Sequence, residues 1–323
     1  MRAAVTGGSG VVGWAVVRHL LADGHEVRAL ARSDRSARLL EGRGATVVRG
    51  DVLDPLSLVE LVTGCDHVFH VAGVNEMCSR HPSRMWRVNV EGTRHVLETS
   101  ARAGVERLVH TSSAVTLGEE RGTTGSEGSA HRGHFLSEYE RSKTVAERLV
   151  FDVSRDIEVV SVNPSSVQGP GRSTGTASLL LAAARGRLAL LVDTMISLVD
   201  IDDCARGHLL AAEHGTPGRR YVLSGATLSI REAVRKLNRK LGRSARSPWY
   251  VDPAVVTVLA PIADRLSRMA GIRSQLCTES ARVLLHGHRY DGSRATRELG
   301  LEYTGLDDTL ERTVGWFRGQ GLL

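Results

Sequence analysis

The segment Thr6-Gly7-Gly8-Ser9-Gly10-Val11-Val12-Gly13 constrains this chain more than any other. It follows an apolar run, Arg2 to Thr6, and opens an apolar helical pattern, Val11 to Ala22. A chain that turns this tightly while bringing its backbone close to a pyrophosphate has no room for Cβ atoms. The following helix points its free N–H groups and positive dipole end at the same anion. A strand before, a helix after and a place at the start of a domain make this a dinucleotide-binding turn. Thr6, Gly7, Gly10, Val11, Val12 and Gly13 are its expected cofactor contacts.

The alternation continues along the first half. Strands are expected at 25–31, 45–49, 67–71, 107–111 and 157–162, and helices at 35–41, 56–63, 84–103 and 138–152. Strand runs that are nearly all apolar imply helices on both faces of a parallel sheet. The expected fold is α/β: a Rossmann-type doubly wound parallel sheet with a smaller, mostly helical substrate lobe. Residues 1–165 form the dinucleotide domain, completed by segments near 195–225, and 166–323 form the interleaved lobe. Gly118 to Gly133, rich in Gly, Ser, Thr and charge, reads as a loop or lid.

The second strand ends at Ala31, where a site for NAD usually carries an acid to hold the ribose 2′-hydroxyl. Here Arg32 and Arg35 follow, with Arg38 nearby. Arginine grips a 2′-phosphate through paired N–H donors, so NADPH is the expected cofactor, with NAD as the alternative. Asp34 reads as a helix cap. Asp51 and Val52 after the third strand frame the adenine, with a turn-forming Asp ahead of Pro55 as the plainer reading of Asp51. Val71, Ala72 and Gly73 end the fourth strand with small residues, so a flat cofactor can lie against it.

Tyr139 and Lys143 stand at i and i+4 and share a helix face. A nearby ammonium stabilises phenolate, so the tyrosine can exchange a proton with a carbonyl or carbinol oxygen. Lysine is rare here: Lys143, Lys236 and Lys240 are the only three. Thr111-Ser112-Ser113 closes the fifth strand, where the Ser113 hydroxyl can hold a substrate oxygen and Thr111 can border the cofactor.

Bulk properties exclude other classes. The net charge of +6 is spread along the chain and aromatics are 4%, so no nucleic-acid platform is expected. No apolar stretch of membrane-spanning length occurs. The first residues run straight into the glycine turn, so a secretion signal is not expected. Cys65, Cys78, Cys204 and Cys277 are scattered without a CxxC pair, so neither a disulfide frame nor a metal site is expected, and reduced thiols in a cytoplasm fit.

These pieces, with GDV at 50–52, HVAG at 70–73, NVEGT at 89–93, YERSK at 139–143, NPSSVQGPG at 163–171 and the late VDIDDCARGHLLA, resemble the extended short-chain dehydrogenase/reductase family, within the NAD-dependent epimerase/dehydratase superfamily. The dihydroflavonol-reductase-like and hopanoid-associated sugar epimerase branch is the most similar. The resemblance implies Tyr139 as general acid/base, Lys143 on the nicotinamide ribose, Ser113 on the substrate oxygen, and Pro164, Ser165, Ser166 and Val167 beside the nicotinamide. It gives Asn89 a structural role. The family often has His where Asp200 stands. The Asp-Glu pair of dehydratases is replaced by Ala114-Val115, and Ser161-Val162-Asn163-Pro164 lacks the arginine frequent in nucleotide-sugar epimerases.

The resemblance therefore implies an NADPH-dependent reductase of a ketone or aldehyde on a small molecule, and the apolar helix at 253–270 leans toward a bulky, lipophilic one. A sugar epimerase with tightly held NAD(P) is the alternative, and a non-catalytic NADP-sensing regulator the third reading. Trp249, Tyr250, Leu259 and Met269 are candidate pocket residues, and Arg172 and His134 candidate polar contacts. Helices 84–103 and 138–152 are the surfaces through which a homodimer is expected.

Overall fold

In the computed structural model the described residues are 1–79, 81–153, 156–187, 190–242, 248–270 and 277–323. The first half alternates β1 (Arg2–Thr6), α1 (Val11–Ala22), β2 (Glu26–Ala31), α2 (Asp34–Glu41), β3 (Thr46–Arg49), α3 (Pro55–Val62) and β4 (His67–His70). The long helix expected at 84–103 is three pieces: α4 (Ser83–Trp86), a π-helical turn (Arg87–Glu91) and α5 (Gly92–Arg102). A Cβ on Gly92 would meet the Val52 side chain at 2.8 Å, so this helix lies against the turn after β3.

β5 (Arg107–Thr111) leads through a 3-10 turn (Ala114–Leu117) toward α6 (Glu138–Val153) and β6 (Glu158–Pro164). There follow β7 (Ser166–Gln168), α7 (Thr176–Ala184), β8 (Leu190–Val192), β9 (Met195–Asp200), α8 (Ile201–His214), β10 (Arg220–Leu223), β11 (Ala226–Ser229) and α9 (Ile230–Lys240). β12 (Trp249–Val251), α10 (Pro253–Met269), α11 (Thr278–His286), α12 (Ser293–Leu299) and α13 (Leu306–Gly319) close the chain. Pro261 lies inside α10 without ending it.

Seven parallel strands form one sheet in the order β10-β6-β5-β4-β1-β2-β3. Residues alternate faces along each strand, and both faces are covered. Ala3, Val5, Phe69, Val109 and Val160 pack on α1 and α8 through Val16, Leu20, Leu209 and Ala212. Their neighbours Ala4, Val68, Leu108 and Val159 pack on α3, α5 and α6 through Leu58, Leu61, Val96, Leu97 and Val150. The strand order reverses between β1 and β4, opening a crevice at their carboxyl ends, where α/β sheets bind ligands. Of the two later segments expected to complete the sheet, Arg220–Leu223 does so. Met195–Asp200 instead forms a separate sheet with β7 and β11.

The segment 118–137 is stitched down rather than free. Glu127 accepts at its carbonyl from Arg220 and at its carboxylate from the Val222 N–H, while Arg132 forms a buried ion pair with Glu140. Loop composition alone could not reveal these long-range partners.

The cysteine expectation is corrected. Cys78 and Cys277, 199 residues apart in sequence, form a disulfide with Cα atoms 5.9 Å apart. Cys65 and Cys204 are buried free thiols. Spacing along the chain says nothing about a contact that only the folded sheet creates. Among the described residues no helix is long and apolar enough to cross a membrane.

Candidate active site

The glycine turn sits at the reversal point. Gly7 has φ +73°, and a Cβ there would lie 2.6 Å from the Ala72 nitrogen, so β1 and β4 meet backbone to backbone. At Gly13 a Cβ would fall 2.1 Å from the Gly7 carbonyl oxygen, which fixes how closely α1 docks. Whereas Ser33, Asp54, Asp200 and Ser229 cap their helices with side chains, Gly10 leaves the first N–H groups of α1 uncapped. These orphan donors form an anion socket. Thr6 supports the turn from beneath: fully buried, its hydroxyl meets His70 Nδ1 at 2.7 Å and accepts from the Ala72 N–H at 3.2 Å.

At the edge reached by β2, Arg32 is exposed and stands 3.7 Å from Asp51. Arg35 and Arg38 are also exposed. Asp34, the one acid near the strand end, is ion-paired with Arg49. Asp51 forms the turn read as its plainer role, accepting from the Leu53 N–H at 3.0 Å. Val52 is buried, whereas Val71 and Ala72 are partly open and Gly73 is exposed beyond the end of β4.

The reactive side chains converge across β5 and α6. The Ser113 and Tyr139 side chains approach one another closely enough for the Ser113 hydroxyl to lower the Tyr139 phenol. Ser113 is held by the 3-10 turn behind it, whose Thr116 hydroxyl donates to the Ser113 carbonyl at 2.8 Å. Asn163 donates to Thr116 Oγ1 at 3.0 Å, and Glu147 ties this turn to Arg220 at 3.0 Å. Asn89 is fully buried, bonds both backbone groups of Val74 and donates to Ser142 Oγ at 2.9 Å, joining the π turn to α6.

Lys143 is 3% exposed and donates to the Thr111 carbonyl at 2.7 Å. Burial pulls its ammonium down to about 8, opposed by Glu147. Burial pushes the Tyr139 phenol up, while the Ser113 hydroxyl and the charge of Arg172 pull it down. The charge of Arg172 thus acts on the phenol from outside α6. Spacing identified Lys143 through the helix face; Arg172 comes from a loop 33 residues beyond Tyr139, which periodicity cannot place.

Pro164 ends β6, and Ser165 to Val167 cross into β7. Among the described residues the buried Ser165 hydroxyl has no hydrogen-bond partner, and Ser166 Oγ accepts from Gln168 at 3.1 Å. The orphaned hydroxyl and the uncapped N–H groups of α1 fit a dinucleotide laid across the crevice. Of the expected pocket residues, Trp249 and Met269 are 80% and 78% exposed, and Tyr250 lies under the Arg231 guanidinium at 3.9 Å. His134 is exposed on its loop. Asp200 proves to be an anchor: it caps α8, accepts from Thr309 at 2.8 Å and is ion-paired with Arg312, which latches α13 to the lobe.

The family model described as "NAD dependent epimerase/dehydratase family" matches residues 3–224. The chain is 31% identical to the "Putative dihydroflavonol 4-reductase" of Synechocystis sp., covering 98% of this chain and 94% of that protein. It is likewise 31% identical to "Sterol demethylase protein B" of Methylococcus capsulatus, with 100% of both covered. The crystal structure of gox2253 superposes with a TM-score of 0.86 at 29% identity, covering 100% of this chain and 99% of that one. The chain thus belongs to the NAD-dependent epimerase/dehydratase family, the extended short-chain dehydrogenases/reductases, and is an NAD(P)-dependent oxidoreductase.

Proposed function

We propose that this enzyme reduces a ketone or aldehyde on a lipophilic small molecule with NADPH, using Tyr139 as the proton donor. The observation that carries the reading is buried Lys143, bonded to Thr111 on the strand that carries Ser113, one helical turn beyond Tyr139, whose phenol the Ser113 hydroxyl lowers. Bound NADPH supplies the hydride. Ser113 and Tyr139 hold and polarise the substrate oxygen, and Tyr139 gives it a proton as the carbinol forms. Lys143, anchored on Thr111, holds the nicotinamide ribose. Arg32 and Arg35 bind the 2′-phosphate, which the acid at Asp34 does not oppose because Arg49 neutralises it.

Two observations support a lipophilic substrate. α10 exposes Val255, Val258, Leu259, Ile262 and Leu266 along one helical stripe. The hairpin of α10 and α11 is tied to the start of α6, since Glu279 accepts from the Glu138 N–H at 2.7 Å. Relatives named for dihydroflavonol and sterol chemistry point the same way. A second copy packed on α5 and α6 would give the expected homodimer, which size-exclusion chromatography tests.

The experiment is a screen of polycyclic and long-chain ketones with NADPH consumption as readout, run on wild type and Tyr139→Phe. Turnover that falls at least about 100-fold in the variant, with NADPH affinity kept, supports the reading. Copurifying NAD(H) that does not exchange, with no carbonyl reduced, would turn the assignment to an epimerase.

A further inference from the structure

Away from the reductase site, two histidines and a glutamate meet in the interior. Glu119 follows the 3-10 turn behind Ser113, and its side chain is 1% exposed. His286 ends α11, and His288 follows after Gly287, whose φ of +71° folds the two imidazoles toward each other. Their ring centroids are 4.9 Å apart. His288 Nδ1 lies 2.7 Å from Glu119 Oε1, and His286 Nε2 lies 3.3 Å from the same oxygen. One ligand atom from each of the three residues falls within 4.8 Å of the others.

His288 Nδ1 and Glu119 Oε1 are hydrogen-bonded to one another, but the cluster is only partly satisfied. Among the described residues Glu119 Oε2, His286 Nε2 and His288 Nε2 are buried without a hydrogen-bond partner. Among the described residues the ion-pair partners of the Glu119 carboxylate are these two imidazoles, neither of which carries a permanent charge. A buried carboxylate without a lasting counter-charge is costly. The Tyr290 hydroxyl adds another oxygen, 2.8 Å from His288 Nδ1.

We propose that Glu119, His286 and His288 form a divalent transition-metal site, with zinc as the ion the donors suit. Two imidazoles and a carboxylate are a zinc donor set, and bonds of about 2.0–2.1 Å at tetrahedral angles put neighbouring donors roughly 3.3 Å apart. The His286–Glu119 edge already has that length at 3.3 Å. The His288–Glu119 edge, 2.7 Å in this structure, opens by about 0.6 Å to match. A cavity of about 190 Å³ lined by His286, Gly287, Thr194, Met195, Arg121 and Arg289 borders the cluster on its His286 side. The ion would clamp the end of α11 to the segment that continues from Ser113, and so brace the reductase site without touching its substrate.

The test uses the full chain, stripped with a chelator and kept oxidised so that Cys78 and Cys277 remain bridged. Zinc chloride alone is titrated by calorimetry, and melting is followed with and without zinc. The expected result is about one equivalent bound, a melting point raised by several degrees and reversed by EDTA, and X-ray absorption showing nitrogen and oxygen donors only. Glu119→Gln and His288→Ala should each abolish saturable binding, while Cys78→Ser with Cys277→Ser should keep it. Should the first two variants fail to fold, the wild-type stoichiometry and donor identity decide. Absence of stoichiometric zinc, sulfur in the coordination shell, or binding unchanged in a folded Glu119→Gln protein would overturn the site.

Discussion

Lys143 Nζ donates to the Thr111 carbonyl at 2.7 Å, so the ammonium on α6 is fixed to the last residue of the strand that carries Ser113. Burial holds that ammonium at about 8 in the cofactor-free protein, so its charge disappears as pH rises through that value. Folded-state depression means the unfolded chain holds the proton up to its ordinary value of about 10.4. The cost of the buried charge is thus fully present below pH 8 and is relieved between about 8 and 10. NADPH affinity should therefore weaken between pH 7 and 9 in wild type, measured by cofactor fluorescence. Lys143→Met should bind more weakly at pH 7 and lose that pH dependence; an unchanged profile would remove Lys143 from the ribose site.

Cofactor choice is predicted to reside in Arg32. Its guanidinium is 61% exposed and only loosely engaged with Asp51 at 3.7 Å, leaving it available to a phosphate. Charge-assisted hydrogen bonds contribute about 1.5–3 kcal/mol, roughly a ten- to hundredfold change in affinity. Arg32→Glu should raise the Kd for NADPH by that factor while leaving NADH within a few-fold. Equal losses for both cofactors would show that Arg32 does not read the 2′-phosphate.

How much was legible in advance follows from the range of each interaction. The glycine turn and the strands could be read because each rests on local spacing and on a sheet covered on both faces. The π turn at Arg87–Glu91, the fixed segment 118–137 and the role of Arg172 rest on contacts between distant parts of the chain. β7, β9 and β11 are three to six residues long and form their own small sheet, so no helix-strand alternation announces it. Asp200 was visible as a departure from the family pattern, but its partners Thr309 and Arg312 lie more than 100 residues further on.

Acid should unfold this protein through its buried histidines. Burial pulls His70 down to about 3, His208 to about 4, and His110 well below its ordinary value. The native state binds fewer protons than the unfolded chain below pH 6.5, so stability falls as pH drops from there, and each contribution stops falling near its folded value. Three such groups give a slope of roughly 4 kcal/mol per pH unit between about pH 6 and 4. Denaturant titrations at pH 7, 6 and 5 measure it. His208→Gln should remove about a third of the slope, and a flat profile would mean these imidazoles are protonated in the fold.

The Cys78–Cys277 bridge should carry measurable stability and a connection to the site. Cys78 donates its N–H to Glu279 at 2.6 Å, and the same carboxylate accepts from the Glu138 N–H beside Tyr139. The bridge closes a loop spanning 199 residues of separation, long enough for the unfolded chain to lose much entropy. Native disulfides typically contribute about 2–4 kcal/mol. Replacing both cysteines by serine should lower the melting point by about 4–8 °C and raise KM more than it lowers kcat, because the α10–α11 hairpin loses its tie to the loop after β4. Thiol titration of the denatured, unreduced chain should find two free thiols, Cys65 and Cys204. Finding all four reactive, with melting indifferent to a dithiol reductant, would show that the two sulfurs stand side by side without being joined.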